Sequence, residues 1–317
     1  MLGENTSYKA AMTLYGPKKK ELELVLTEIN ENQETLEQNI SILRNWLACQ
    51  PHLPNCIDDQ IVRVFLRGCK HNVERTKRKI ESYFTGRIAV PELFSNRDPC
   101  SSEIKMAARN LNIYLLPELT PEGCRVTIHS LKNVEIDQLD IQAIIKYIMM
   151  IADIRVMEET PISGDIFVFD IQDVTLAHCT KMTSAINLLR KTLILAQEAY
   201  PQRLKEIHIL NAPSFIEWIL NIFRSLMKEK MRNRFHVHTN YETLTDYVPQ
   251  TILPNEYGGN GKTAQEYHDN WLKKLESYQE WFNKQESVKI NEKRQPHYKT
   301  SNDMFGYEGA FRSLNID

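Results

Sequence analysis

The spacing of apolar residues divides the chain into a helical first third and a mixed remainder. Over residues 18–48, apolar side chains recur every three or four positions with charge opposite, which predicts one helix that Pro51 ends. Two shorter helices follow, one capped at Asp58 and one over residues 73–87. Residues 1–95 are therefore predicted to form a small helical module.

Short apolar runs with bounding Gly, Pro or Asp residues follow and predict strands. These runs lie at 123–129, 164–171, 206–211 and 234–238. Helical patterns at 136–155 and 182–199 separate them, so strands and helices alternate. Such alternation predicts an α/β fold with a mostly parallel sheet.

The last part of the chain has helical periodicity again. Trp271 and Phe282 anchor a predicted helix that runs from about residue 263 to about residue 285, and a polar, disordered tail is predicted after Ser287. We therefore divide the chain into three predicted domains. They are a helical module at 1–95, a sheet domain at 96–262, and a C-terminal helix with a polar tail at 263–317.

Composition narrows the class of protein. Hydrophobic residues make up 42% and charged residues 25% of the 317 positions, as in ordinary globular proteins. The formal net charge of −2 argues against a nucleic-acid-binding protein. No apolar run reaches the roughly 18–20 residues of a membrane-spanning helix, and no signal-peptide pattern is recognised. The six cysteines contain no C-x-x-C pair, so we expect a reduced, cytosolic, soluble protein.

The familiar catalytic motifs do not occur in the sequence, and we expect a protein that is not an enzyme. The glycine-rich segment 258–263 suggests a phosphate-binding loop, but Glu256 stands where that motif needs its first glycine. Asp170 and Asp173 lie at a strand end, where aspartate is usually a turn former rather than an acid or base.

Three histidines fall on predicted strands. His236 and His238 alternate on one strand and His208 lies on its neighbour, so three imidazoles on one side of a sheet would be able to hold a metal ion. No carboxylate or cysteine stands at a supporting spacing. We therefore favour structural histidines and predict no metal site.

An amphipathic segment followed by a basic run has two interpretations. Residues 213–227 place large apolar side chains at helical spacing, which suits either a core face or a lid over an apolar cavity. The basic run 228–234 suits either a solvated helix end or an anion site. If the sheet is parallel, Arg203 and Lys205 converge with that run, because their strands start at the same edge.

Several segments in consistent order resemble the CRAL-TRIO lipid-binding family, over about residues 20–262. The segment IVRVFLR at 61–67 resembles its LLRFLRA helix, and 121–126 resembles its first sheet strand. Further similar segments are Phe169-Asp170 with His178, 199–205, 207–208, 211–213, 229–238 and 252–259. The sequence departs from the family pattern at Cys69, Asp173 and Thr239.

The resemblance implies a helical module packed on an α/β domain whose sheet floors a hydrophobic pocket. The amphipathic segment would be the gate of that pocket, through Phe215, Trp218, Ile219 and Ile222. Its lining would consist of Phe167, Phe169, Ile171, Val174, Leu176, Ile186, Leu189, Ile194 and Phe223. A basic cleft for phosphoinositide phosphates would consist of Arg67, Arg203, Lys205, Lys230 and Arg234.

The function that this resemblance implies is an intracellular carrier for a small hydrophobic ligand of tocopherol, retinoid or carotenoid type. We expect it to be cytoplasmic, recruited peripherally to phosphoinositide-containing membranes, with a bound hydrophobic ligand and no other cofactor. Two alternatives stay open. One is a phospholipid or phosphoinositide exchange protein. The other is a lipid-sensing module that binds a protein partner, through the helix from Trp271 to Phe282 and the polar tail.

Overall fold

A computed structural model describes residues 14–54, 57–132 and 135–287, which form a helical module and a five-stranded sheet with helices packed on it. The predicted fold class is confirmed, because the sheet is mostly parallel and follows the helical module along the chain. The predicted polar tail lies outside the described residues. The domain boundaries after residues 95 and 262 stay predictions.

Six helices precede the first strand in the described residues; the first five form the helical module, and the sixth packs against the sheet. They are α1 (Lys19–Ile29), α2 (Gln33–Ala48), α3 (Asp59–Gly68), α4 (Val73–Ala89), α5 (Pro91–Phe94) and α6 (Ser102–Asn110). The prediction of one helix over 18–48 is wrong, because Asn30 adopts the left-handed conformation with φ 58° and ends α1. The side chain of Asn32 then accepts a 2.7 Å hydrogen bond from the Thr35 amide and starts α2. The break between α1 and α2 is too short to interrupt the apolar spacing from which the single helix was predicted.

The sheet has the strand order β1 (Leu111–Leu119), β2 (Cys124–Leu131), β3 (Gly164–Asp170), β4 (Leu204–Leu210) and β5 (Phe235–Val237). Strand β1 pairs antiparallel with β2, and the other pairs are parallel. The sequence analysis missed β1. The run at 123–129, which was expected to be the first strand, is therefore the second strand, β2. Pro117 lies where the β1 register shifts, which obscured the strand pattern.

The helices of the sheet part are α7 (Ile141–Glu158), α8 (Leu176–Ser184), α9 (Ile186–Glu198), α10 (Glu217–Leu226), α11 (Glu229–Arg232), α12 (Ala264–Ser277) and α13 (Gln279–Ser287). Helix α7 begins later than predicted, since the Asp140 side chain accepts a 3.0 Å hydrogen bond from the Ala143 amide and caps it. The predicted helix over 182–199 corresponds to the end of α8 and to α9, which meet at Ala185.

The largest apolar core joins the sheet to α6, α7 and α12. Trp271 and Phe282 have no exposed surface in this core, and the Trp271 indole N–H donates to the Leu115 carbonyl at 3.1 Å. The predicted single helix over 263–285 is two helices, with Trp271 on α12 and Phe282 on α13. These two side chains are buried and hold the C-terminal helices in the core, so a partner would have to bind other residues of this segment. A partner surface here stays a prediction.

A buried ion network on α7 ties the helical module to the sheet part. Asp153 is fully buried and accepts hydrogen bonds from Arg87 and Arg97, both at 2.5 Å, and from the hydroxyls of Tyr83 and Tyr200 at 3.1 and 2.7 Å. Burial tends to raise the pKa of Asp153, but the two guanidinium groups outweigh it and lower this pKa. The charge is therefore retained in the core.

We expect Asp153→Asn to lower the free energy of unfolding by about 3–5 kcal/mol, because two buried guanidinium groups lose their counter-charge. Urea denaturation measures the change. The control is Asp173→Asn at an exposed position, where we expect a change within about 0.5 kcal/mol. Equal effects of the two variants would contradict a structural role for the Asp153 charge.

Candidate functional site

The starts of β4 and β5 bring two basic segments together at one edge of the sheet. Arg203 precedes β4, Lys205 lies within it, and Arg234 precedes β5. Parallel pairing sets Ile207 beside Phe235, and an Arg234 guanidinium N–H donates to the Leu204 carbonyl. The convergence that the sequence analysis inferred from parallel strands is therefore present in the structure.

Arg67 reaches the same edge from the helical module. The next residue, Gly68, lies so close to Pro201 that a Cβ at this position would be 2.0 Å from the Pro201 carbonyl oxygen. This approach of α3 to the turn before β4 places Arg67 and Arg203 in the lining of one small cavity. A side chain at Gly68 would separate them.

Lys230 is placed differently from the other four predicted cleft residues. It is exposed on α11, and among the described residues it makes no hydrogen bond or ion pair. The structure thus brings Arg67, Arg203, Lys205 and Arg234 to one edge and leaves Lys230 separate from their contacts. The assignment of all five to phosphoinositide binding stays a prediction.

Two carboxylates of α1 and the turn after it contact these cations, and the sequence analysis missed both. Glu28 Oε1 accepts from Arg203 Nη2 at 2.7 Å and from Lys205 Nζ at 2.8 Å. Glu31 accepts from Arg67 Nε at 2.8 Å and Nη2 at 3.0 Å. The signal in the sequence is an acidic pair three residues apart at a helix end, which is too common to be informative alone.

The cations determine the protonation of both carboxylates. A hydrogen bond from Lys205, with further bonds from Arg203, lowers the pKa of Glu28 to about 2. Burial tends to raise the pKa of Glu31, but hydrogen bonds from His71 and Arg67 outweigh it and bring this pKa to about 2 as well. Both groups are therefore charged at neutral pH.

The predicted gate segment forms a short 3-10 turn at Ser214–Ile216 followed by α10. Ile219 is 2% exposed and packs with Ile207 and Ile209 of β4, while Phe215 and Ile222 pack at the margin of the same cluster. Trp218 is 42% exposed and lies outside the buried face, unlike its predicted place on the apolar stripe. The segment therefore covers one face of the sheet and presents an indole outward.

The nine predicted lining residues fall into groups. Four of them pack on the apolar cluster between α10 and β4, and these are Phe169, Ile171, Val174 and, from α10 itself, Phe223. Phe167 contacts the Phe169 ring at 6.5 Å between centroids. Leu189 and Ile194 pack instead against the core of the helical module, Ile186 is half-buried at the start of α9, and Leu176 is 55% exposed. Their roles as lining stay predictions.

His129 of β2 is a buried polar residue that the sequence analysis did not single out. Its ring stacks on Phe169 with centroids 4.6 Å apart and meets Phe167 edge-on at 6.0 Å. Burial lowers its pKa to about 4, so the imidazole is neutral at physiological pH. The apolar alternation of β2 does not distinguish His129 from the other residues of the strand, so the sequence does not indicate its aromatic contacts.

The three strand histidines form a stack rather than a shared centre. His208 Nδ1 lies 2.9 Å from His238 Nε2, and the His208 and His236 rings are parallel with centroids 5.0 Å apart. Burial, and then the charges of His238 and His236, lower the pKa of His208 to about 3. Within the described ranges, no group of three His, Cys, Asp or Glu side chains is arranged to hold a metal ion.

The remaining candidates have structural contacts. Asp170 accepts hydrogen bonds from the side-chain Nδ2 of Asn211 and from the Tyr257 hydroxyl, each at 2.8 Å, and so joins β3 to two later segments. Gly259 lies so close to Leu253 that a Cβ would be 1.9 Å from its carbonyl oxygen. Thr263 caps α12. The glycine-rich segment is thus a tight turn before a helix.

The order of the elements and their similarity to known sequences define the class of protein. Residues 109–259 match the model of the CRAL/TRIO domain, and residues 32–104 match that of the Pinta-like UBA domain. The chain therefore carries a CRAL/TRIO domain, and the resemblance noted from the sequence is confirmed. Among the described residues, no helix is long and apolar enough to cross a bilayer.

Individual relatives are similar over about three quarters of the chain. "Alpha-tocopherol transfer protein-like" of Homo sapiens is 28% identical over 235 residues, which are 73% of this chain and 68% of that protein. "Clavesin-2" of Mus musculus is 27% identical over 241 residues, 75% and 73% of the two chains. The crystal structure of Sfh5 aligns with a TM-score of 0.47 and 15% identity, covering 81% of this chain and 99% of that one.

We expect Gly68→Ala to cost about 1–3 kcal/mol of unfolding free energy, because its methyl group overlaps the Pro201 carbonyl and pushes α3 from the sheet edge. Gly16→Ala is the matched control. The nearest atoms there belong to Thr160 at 3.8 Å, so we expect a change within about 0.5 kcal/mol. Denaturant titration compares the variants, and an unaffected Gly68→Ala would contradict the close approach.

Proposed function

We propose that this protein is an intracellular carrier of a small hydrophobic ligand that is recruited to phosphoinositide-containing membranes through its basic edge. The observation that carries the proposal is the position of α10 over one apolar face of the sheet, next to the strand edge that holds Arg67, Arg203, Lys205 and Arg234. A ligand site and a membrane-binding site are then adjacent. The name of one relative, "Alpha-tocopherol transfer protein-like", describes a transfer protein and supports a carrier rather than an enzyme.

The ligand is proposed to lie between the sheet and α10, on the face of Phe169, Ile207 and Ile209. Burial of about 400 Å² of apolar ligand surface at about 25 cal/mol/Å² gives roughly 10 kcal/mol before binding costs. That range suits stable carriage of a tocopherol, retinoid or carotenoid type of molecule. Such a molecule needs no cofactor and no catalytic group, and the protein would be cytoplasmic with peripheral membrane contact.

Release needs an interaction that competes with this burial. The exposed Trp218 on α10 is suited to the bilayer interface, where amphipathic aromatic rings are favoured. Each cation near an anionic leaflet contributes about 1 kcal/mol. Membrane contact would then favour the displacement of α10 from the sheet and the opening of the ligand site.

A second candidate function follows from the UBA-domain match in the helical module. A lipid-sensing module that binds a protein partner would use that part of the chain, where Ile42 of α2 is 47% exposed. Transfer between two populations of purified vesicles separates the candidates. A carrier moves its ligand with no partner protein present, whereas a sensing module does not.

The first test is organic extraction of the purified protein after incubation with a tissue lipid extract, followed by mass spectrometry. We expect a stoichiometric tocopherol, retinoid or carotenoid. Phospholipid as the sole bound species would favour an exchange protein instead. Recovery of no lipid at all would contradict both forms of the proposal.

A space-filling variant locates the ligand. We expect Ile171→Trp to reduce the extracted ligand about tenfold or more, because the larger ring occupies space next to Phe169 that the ligand needs. Ile42→Trp on the exposed side of α2 is the control and should leave occupancy unchanged. Equal ligand content in both variants would place the ligand elsewhere.

Charge reversal at Lys230 tests separately whether this exposed residue of α11 belongs to the membrane site together with the four cations of the edge. We expect Lys230→Glu to weaken binding to phosphoinositide vesicles by about tenfold, since it replaces attraction by repulsion, and to leave ligand content intact. Lys105→Glu on α6 changes the net charge equally at an exposed position away from the edge and should retain binding. Vesicle sedimentation gives the affinities. Identical binding of both variants would remove Lys230 from the site.

A further inference from the structure

We propose that Glu28 and Glu31 are internal occupants of two phosphate subsites, and that a ligand with two phosphate groups binds this edge by displacing α1. The proposal rests on the proposed phosphoinositide cleft and extends it. It adds Lys70 and His71 to the cleft and defines the ligand as a bisphosphate. It also makes α1 a competitor that limits binding.

The side chains that contact the two carboxylates fall into two groups, one around each. Lys70 Nζ lies 3.4 Å from Glu28, beside the bonds from Arg203 and Lys205. His71 Nε2 lies 3.1 Å from Glu31, beside the bonds from Arg67. A carboxylate that accepts several charge-assisted hydrogen bonds occupies the position that a phosphate oxygen would take. Two such positions on one edge suit two phosphates.

The backbone after α3 is held in an unusual conformation at this site. Lys70 and His71 have φ values of 52° and 57°, in the left-handed region that non-glycine residues rarely adopt. The His71 amide donates to the Leu66 carbonyl at 2.9 Å, so this turn is a C-terminal cap of α3. The turn directs Lys70 at Glu28 of α1 and His71 at Glu31, which follows α1.

Helix α1 buries few apolar side chains, so little apolar contact opposes its displacement. Val25 and Ile29 are its fully buried side chains, while Leu22 and Leu24 are exposed. Val25 packs against the turn at Gly123, where a Cβ would be 2.3 Å from its Cγ2. The Glu28 side chain itself is 35% exposed, so solvent and anions reach the ion pairs.

Charge favours the exchange. A phosphate monoester carries about −1.5 to −2 charges and three acceptor oxygens, against one charge and two oxygens for a carboxylate. Two phosphates therefore outcompete two carboxylates at the same cations. The tether of α1 to the rest of the chain opposes this by keeping the carboxylates at high local concentration.

The test compares Glu28→Gln/Glu31→Gln with a control, Glu23→Gln/Glu34→Gln, which changes net charge equally at exposed positions. Binding is measured to vesicles that contain phosphatidylinositol 4,5-bisphosphate and to soluble inositol 1,4,5-trisphosphate. We expect about fivefold or tighter binding of the first variant to both, and less than about twofold change in the control. Tighter binding to vesicles alone would overturn competition with phosphate, since released α1 would then act on the bilayer.

Two outcomes separate this proposal from the proposed function. If the unmodified protein binds the vesicles and the first variant binds no tighter than the control, the competition by α1 is overturned and the cleft stands. If neither the unmodified protein nor any variant binds phosphoinositide vesicles or the soluble trisphosphate, both proposals are overturned.

A second variant avoids the buried Glu31 and keeps the proposal testable if the double variant does not fold. Val25→Ser removes apolar contact of α1 and leaves every charge in place, so it should also tighten binding.

Hydrogen exchange of the unmodified protein gives an independent readout. We expect the trisphosphate to speed amide exchange in residues 19–29, and unchanged exchange with bound trisphosphate would overturn displacement.

Discussion

Parallel pairing of β2 through β5 is the constraint on which the rest of the structure depends. Parallel strands start at the same edge of a sheet, so the residues that enter β4 and β5 meet there regardless of their separation along the chain. Arg203 and Arg234 are neighbours for this reason. Side chains alternate across the same strands, which gives β4 one face for α10 and the other for the main core. The basic edge and the apolar face thus both follow from the arrangement of the parallel strands.

Buried charge serves two different purposes in this molecule. Asp153 is fully buried among two arginines and two tyrosine hydroxyls, and its removal would leave two largely buried cations without a counter-charge. Glu28 also accepts from several cations, but its side chain is partly exposed and belongs to a helix with few buried side chains. The first arrangement fixes two parts of the chain together. The second satisfies cations in a way that another anion is able to replace.

Two buried histidines of the sheet differ in their surroundings, and therefore in their roles. His208 and His129 are both buried strand histidines with lowered pKa values. His208 bonds to His238 and Glu206 within a stack of rings, so its hydrogen-bonding capacity is used inside the protein. His129 instead lies between two phenylalanines beside the face that α10 covers. The same residue type is structural in one place and adjacent to a candidate ligand site in the other.

The sequence by itself determined the α/β class, the parallel β3 to β5 segments and the meeting of Arg203 with Arg234. Apolar periodicity is local, and a helix between two successive strands favours parallel pairing. The sequence also predicted α10 from its apolar spacing. Only the tertiary structure decided that Asn30 divides the first helix, that Trp271 is buried against β1, and that Glu28 and Glu31 contact the cations. The burial of Trp271 and the contact of Glu28 with Arg203 depend on surfaces that meet across more than a hundred residues. The break at Asn30 is local, but it is too short to interrupt the apolar spacing. Apolar spacing records which face of a helix is buried, but not what lies opposite to it.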